Sequence, residues 1–486
     1  MVEAVANGVQ DKLIDGLSFK LSPGASYVTN RRSVTFHPQG SNVYESTSGT
    51  RLIKIQLTGD EWLDPSTFRV SFDVVNKDDD NNKQLRVLGG PHSFFRRARL
   101  LAGGQVIEDI DNFNRVSEML QMLKSKHSRD NDVAEGFGRL WSEHRFNDVS
   151  VKPQSWTAGS VENAASYRSM RDLRAATFRG IKANQSQKVL FKPALGIFNQ
   201  NKFLPIRYMP LTLELELVSN PNDPIYSTFQ VAGDAAASTL PLIDINAGNT
   251  STSWRIENVE VKCDLIALDN ALDNSYAEHL LSGKSLPINY NTFVSQMQTI
   301  MNMQKPNVNV TRALTRLKSV FVTLDKDVES VYRPGLKNWN TFWSPMSPEN
   351  AIVAASVDNQ SYQHEANGEF NFNLQIGSKL YPEYPIRSHS EAFYQLKKTL
   401  GIQSSDVHSF DINARQYRDH RMVLAIDTEK VLDAGWSGLN TRAGDLMSVK
   451  YEFLVNENAR LADRMHIVLH SDQIVEIRDS GVQVFD

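Results

Sequence analysis

Several groups of residues have types and spacings that could do chemistry, and each has to be weighed against its setting. Ser282-Gly283-Lys284-Ser285 resembles the end of a phosphate-binding loop. Such a loop wraps its backbone around phosphates and needs a glycine five residues before Gly283. That position holds Glu278, so the segment reads as the glycine-marked end of a helix. Asp78-Asp79-Asp80-Asn81-Asn82 opens like a calcium loop, but Lys83 stands where the sharp turn requires glycine. A solvated hairpin tip is the better reading. His466 and His470 are spaced to share one face of a helix and one metal ion. The residues between them, Ile467-Val468-Leu469, are strand-like, and a strand would set the two imidazoles roughly 13 Å apart. Both read as structural.

Cys263 is the only cysteine, which excludes an intrachain disulfide and a cysteine-rich zinc module. It lies on the apolar side of an alternating segment and reads as a buried, inert thiol. Glu214 and Glu216 fall on the polar side of another such segment, which suits a solvated face better than an acid/base pair. No G-x-S-x-G elbow is present. The expected catalytic, cofactor-binding and metal sets are therefore empty: no cofactor is implied and the chain is not expected to be an enzyme. Basic residues gather at Arg96-Arg97-Arg99 and at Arg168, Arg171, Arg174 and Arg179, candidate anion or nucleic-acid patches. Against them, 52 lysines and arginines face 56 aspartates and glutamates, a net charge of −4. That balance argues against a dedicated nucleic-acid binder, so no sequence-specific nucleic-acid partner is expected. Asn184, Asn249, Asn309 and Asn359 fit N-x-[ST], without a visible secretory route.

The elements that must hold these residues are mostly strands. Ile53, Ile55 and Leu57 alternate with polar residues, as do Phe68 to Val74, Leu211 to Leu217 and Val259 to Leu265. Phe370 to Ile376 and Val449 to Val455 repeat the pattern in the second half. Period-2 alternation gives each strand one apolar face, the signature of antiparallel sheets buried on one side. Helices are few. One is expected from Asn114 to Leu123, with Val116, Met119, Leu120 and Leu123 on one face. Another runs from about Ser390 to Leu400, with a capping box from Ser388 and Glu391 and Gly401 behind it. A third covers Tyr276 to Leu281. Val2, Val5, Val9, Leu13 and Leu17 suggest an amphipathic arm that Pro23-Gly24 ends. There is no apolar window of about 18 residues and no basic, apolar leader at Met1, so a soluble protein made in a reducing compartment is expected.

One arrangement occurs twice. Leu100 to Asp109 reads as strand, glycine turn at Gly103-Gly104, strand, and then a helix built on Met119 and Met122. Leu374 to Glu383 reads the same way around Gly377, followed by a helix built on Phe393 and Leu396. The separation of Gly103 from Gly377 equals that of Met119 from Phe393. Two copies of one β-rich unit are expected, divided at about residue 272, where Asp269, Asn270, Asp273 and Asn274 form a polar break. Two long, weakly patterned loops, about 130–186 with Trp141 and Trp156 and about 325–367 with Trp339 and Trp343, are expected to be functional or interface-forming.

Taken together, the chain resembles the double jelly-roll major capsid proteins of the lineage that includes adenovirus, virophages and Polinton-like viruses. The resemblance is carried by Phe94 to Ile110 leading into the first helix, by Leu204-Pro205 before the Leu211 to Leu217 strand, and by the linker helix at Tyr276 to Leu281. The strand at Leu314 to Val322 and the opening Tyr27 to Tyr44 segment with Phe36-His37-Pro38-Gln39-Gly40 carry it too. It implies an all-β fold of two tandem eight-stranded antiparallel jelly-roll sandwiches with a few short helices: an arm at 1–30, a first roll at 31–272 and a second at 273–486. It further implies homotrimeric, pseudo-hexagonal capsomers tiling an icosahedral shell, contacts with neighbouring capsomers, penton and minor capsid proteins, synthesis in the host cytoplasm, and an arm lying beneath the shell. The runner-up expectation is a two-domain β-sandwich carbohydrate-binding protein or glycan-active enzyme.

Overall fold

The computed structural model describes residues 27–47, 50–87, 89–125, 135–137, 180–225, 250–326, 342–345, 370–402, 410, 412, 417–418, 421–429, 438–442, 446–454 and 461–486. The first half contributes β1 (Val28–Phe36), β2 (Val43–Tyr44), β3 (Leu52–Leu57), β4 (Trp62–Asn76), β5 (Gln84–Leu85), β6 (Phe95–Ala102) and β7 (Gln105–Ile110). Next come α1 (Phe113–Met122), β8 (Ile181–Lys182), β9 (Ser186–Phe191), β10 (Leu204–Pro205), β11 (Leu211–Leu217) and β12 (Trp254–Leu268). After α2 (Asn270–Leu281) the second half supplies β13 (Leu286–Thr299), β14 (Asn307–Val310), β15 (Leu317–Asp325), β16 (Phe370–Ile376) and β17 (Lys379–Ile386). It closes with α3 (His389–Thr399), β18 (Leu424–Asp427), β19 (Met447–Phe453), β20 (Arg464–Arg478) and β21 (Gly481–Phe485).

The two halves have one strand order. In the first, one sheet runs β1-β12-β4-β10, with β9 also on β4, and the other runs β3-β11-β6-β7. In the second, the corresponding sheets run β13-β20-β15-β18 and β14-β19-β16-β17. Pairing is antiparallel, and in each half the opening strand lies beside the last long one, β1 beside β12 and β13 beside β20. Each half is therefore a jelly roll with two four-stranded sheets along its main path. The end of β6 is as far from the end of β16, and the start of β7 from the start of β17, as Gly103 is from Gly377. The turns between them use Gly103 at φ +56° and Gly377 at φ +60°, a region where a Cβ is costly.

Alternation explains the cores. Leu211, Leu213, Leu215 and Leu217 of β11 are wholly buried, and each contributes roughly 2 kcal/mol. Phe72 of β4 packs edge-on against Phe94, Phe95 and Phe191. The free edges are blunted. β17 carries Pro382 and Pro385, and β1 presents the exposed Arg31 and Arg32, paired with Asp64, Asp264 and Glu61.

Two sequence expectations need correction. The polar run at Asp269 to Asn274 is the start of α2, not a break: the Asp269 carboxylate accepts from the Ala271 N–H, so residues read as breakers are capping the helix. The helix therefore begins at Asn270, earlier than Tyr276, and spans position 272. Trp343, expected in an interface loop, is buried in its own chain: its N–H donates to the Leu324 carbonyl at 3.1 Å, continuing the sheet beside β15. Trp141, Trp156, Trp339, residues 1–26 of the expected arm and Arg168 to Arg179 lie outside the described residues, and residues 28–30, read as the end of the arm, already belong to β1. Half of the capping box on α3 forms as expected: the Ser388 hydroxyl accepts from the Glu391 N–H at 3.2 Å, while the Glu391 carboxylate accepts from the Arg387 N–H at 2.8 Å, one residue before the cap, and Gly401 follows at φ +69°.

Candidate functional site

β15 and β20 break the rule that made the other strands legible. Eight of the nine residues of β15 and ten of the fifteen of β20 are buried, with buried residues on both faces of each strand. One face fills the second core. The other is covered by the first roll, and the seam between the rolls holds the most unusual side chains of the molecule.

Its centre is Glu108 on β7, 3% exposed. The carboxylate accepts from the Gly196 N–H at 2.8 Å, the Ile197 N–H at 3.0 Å and the Thr292 hydroxyl at 2.8 Å. The first two donors belong to the first roll, and Thr292 belongs to β13 of the second. Burial pushes Glu108 up to about 7, against the pull of those donors. Beside it the Tyr290 hydroxyl lies 3.0 Å from the Ile107 carbonyl oxygen and 2.8 Å from Gln473 Oε1, tying β13 to β7 and to β20. The Ser295 hydroxyl donates to the Asp111 carbonyl. Gly196 sits so close to β13 that a Cβ there would stand 1.5 Å from the Asn291 carbonyl oxygen.

The other end of the seam is ionic. Arg115 of α1 is buried and reaches across to β15, donating to the Leu324 carbonyl at 3.0 Å and to the Thr323 hydroxyl at 3.3 Å, with its guanidinium 4.6 Å from the Phe342 ring centroid. Arg464 pairs with Asp325 at 2.8 Å. Burial alone would raise Asp325, but His466, Arg115 and Arg464 outweigh it and hold the carboxyl at about 2. His466 stands 3.8 Å from Asp325 and is pushed down to about 4 by burial, then by Arg115. His470, stacked on Phe293 with ring centroids 4.9 Å apart, is likewise pushed down to about 4 by burial, then by Lys318. Both imidazoles are neutral at pH 7 and lie along one strand. Arg115→Met is expected to cost about 2 kcal/mol in urea unfolding, because it strips the Leu324 carbonyl of a buried donor and Asp325 of a counter-charge. An unfolding midpoint indistinguishable from wild type would mean that the cross-seam bonds contribute little.

The remaining sequence candidates are dispersed. Asp78 to Asn82 form the turn between β4 and β5, where Asp78 and Asp80 side chains accept from the backbone N–H groups of Asp80 and Asn82. Gly283 closes α2, its N–H donating to Leu280. Burial raises the Cys263 thiol to about 12, so it stays protonated. Arg97 and Arg99 on β6 are compensated by Asp109 at 2.6 Å and 3.5 Å, and Arg99 and Lys54 also flank Glu214. That face is a ladder of ion pairs, neither a basic patch nor an acid pair. The groups of three or more His, Cys, Asp or Glu side chains that could hold a metal are absent among the described residues. Sequence reasoning missed Glu108, Gly196 and Arg115.

Two jelly rolls of one strand order, fused in tandem and locked along a buried seam, define the double jelly-roll class of proteins. No protein-family model matches the chain, and no curated protein sequence does. Solved structures do. A chain of the Sputnik virophage is similar over 98% of this chain and 92% of its own, with a TM-score of 0.57 and 10% identity. VP54 of the virus PBCV-1 is similar over 96% of this chain and 99% of its own, with a TM-score of 0.53 and 13% identity. The Faustovirus major capsid protein is similar over 98% and 96%, with a TM-score of 0.51 and 8% identity. The double jelly roll of this chain is thus the fold of viral major capsid proteins.

Proposed function

We propose that this protein is a major capsid protein. Three subunits, each with two jelly rolls, form a six-lobed, pseudo-hexagonal capsomer, and capsomers tile an icosahedral shell. The observation that carries this reading is the repeated strand order of the two rolls together with the buried seam that holds them as one block. A wall is built from units whose lobes do not shift, and the seam supplies that stiffness. Exposed apolar side chains offer contact area for further copies: Met301 is 53% exposed after β13, Tyr384 78% on β17 and Tyr394 54% on α3. On this reading the chain divides into an arm at 1–30, a first roll at 31–272 and a second at 273–486, and it is a structural protein without catalysis. Its partners are its own copies, neighbouring capsomers, and penton and minor capsid proteins. It is made in the host cytoplasm and resides in the virion shell.

Light scattering on the purified protein is expected to give three times the 54.7 kDa mass of one chain, with a six-lobed outline in negative stain. A species that stays at 54.7 kDa when concentrated and binds glycans saturably would overturn this proposal in favour of a carbohydrate-binding double sandwich.

A further inference from the structure

A cavity of about 340 Å³ opens between α1 and the chain that follows β9, away from the seam. Lys124, just past α1, and Lys192, just past β9, both line it. Neither ammonium has an ion pair or a hydrogen bond among the described residues. Lys192 is half-buried; burial, then the nearby Arg69, lowers its pKa, and Lys124 adds to the effect. Asp64 pulls the other way, but that carboxylate already takes Arg31 at 2.9 Å and the Ser66 hydroxyl.

The carboxylates at the cavity are also engaged. Glu118 lies 3.1 Å from His92, and Glu135 stands 3.9 Å from Arg69. Ser117, buried on α1 and lining the cavity, has a hydroxyl without a partner among the described residues. The walls beside these groups are apolar, from Leu120, Leu190 and Phe191. On the face of β3 and β6, by contrast, Lys54, Arg97 and Arg99 are paired with carboxylates. The half-buried Lys192 ammonium, with no counter-charge at a concave, half-apolar site and the exposed Lys124 at its rim, raises the free energy of the empty protein, and an anion relieves it. A cation beside apolar walls selects an anion with an apolar body.

We propose that this cavity binds a carboxylate carried on a small apolar group, with Lys192 and Lys124 as its charge partners. The site is independent of the capsid role. The carboxylate comes either from a free small acid or from the chain terminus of a partner protein.

The test is titration calorimetry on the full chain at low ionic strength, with phenylacetate, its neutral amide phenylacetamide, and the tripeptide Gly-Gly-Phe. Phenylacetate is expected to bind saturably, one per chain, and phenylacetamide about tenfold more weakly or worse, a charge-assisted contact being removed. Lys192→Met should show the same loss while melting no earlier than wild type, since it removes an unpaired charge. Lys124→Met, at the exposed end of the helix, reports the same loss without touching the interior. Tighter binding of the tripeptide than of phenylacetate assigns the carboxylate to a partner terminus; weaker binding assigns it to a free acid. The proposal falls if neither acid binds saturably, if the amide binds as well as the acid, or if both lysine variants bind as wild type does.

Discussion

Replacing Gly196 by alanine is expected to prevent recovery of folded protein, or to cost at least about 4 kcal/mol of stability, a loss reserved for a few severe mechanisms. The added methyl carbon would stand 1.5 Å from the Asn291 carbonyl oxygen and 2.6 Å from its carbon. Those are backbone atoms of β13, a strand paired along its whole length with β20, so they have nowhere to move. The requirement is for space, since Gly196 does not use the left-handed backbone region. Displacing this loop also pulls two donors from Glu108 and leaves a buried carboxylate short of partners. Gly59→Ala is the control: its methyl would meet the end of the Ile206 side chain at 3.2 Å, which can rotate away. Urea unfolding of both variants decides the matter. Wild-type stability in Gly196→Ala would mean that the two rolls are not held at this distance.

The second large effect is in pH. Glu108 sits at about 7 in the folded protein against an ordinary value of 4.5. Between those values the folded state holds a proton that the unfolded chain has released, so stability falls as pH rises from about 4.5 to about 7 and levels off above. Over that window the loss is about 3 kcal/mol. His466 and His470 act in the opposite sense: they stay neutral in the fold down to about 4, so acid below about 6.5 favours the unfolded chain. Comparing wild type with Glu108→Gln cancels the histidine contribution. The stability of wild type relative to Glu108→Gln should therefore rise by about 2.5 kcal/mol between pH 8 and pH 5, read from urea unfolding at each pH. A constant difference would mean that the Glu108 carboxyl ionises as an exposed one does.

The sandwiches were legible in the sequence because one-sided burial writes itself as alternation. Leu211 to Leu217 announces both its strand and the face that enters the core. The matched placement of Gly103 and Gly377 announced the repeat because a hairpin needs a left-handed residue at the same place each time. The seam was not read, although it leaves a trace. In β15 and β20, Val320-Phe321-Val322 and Ile467-Val468-Leu469 abandon alternation, since both faces are covered. Glu108 and Gly196 leave none: an acid in a hairpin strand and a glycine in a loop acquire meaning only when β13, far along the chain, is laid against them. The start of α2 was misread for a local reason, because aspartate and asparagine serve equally as breakers and as caps.

Proline on the outermost strand has a consequence for growth. Pro382 and Pro385 deprive β17 of two N–H donors, and the charged pair Arg31-Arg32 guards β1 in the other roll. At these two margins a further strand is not recruited, so one copy does not extend its ladder into the next through β17 or β1. Copies that meet must do so side chain to side chain, across faces whose angles are set by the rolls themselves. Contacts of that kind can close on themselves and stop, whereas ladders continue into fibres. These two margins thus favour objects of finite size over filaments.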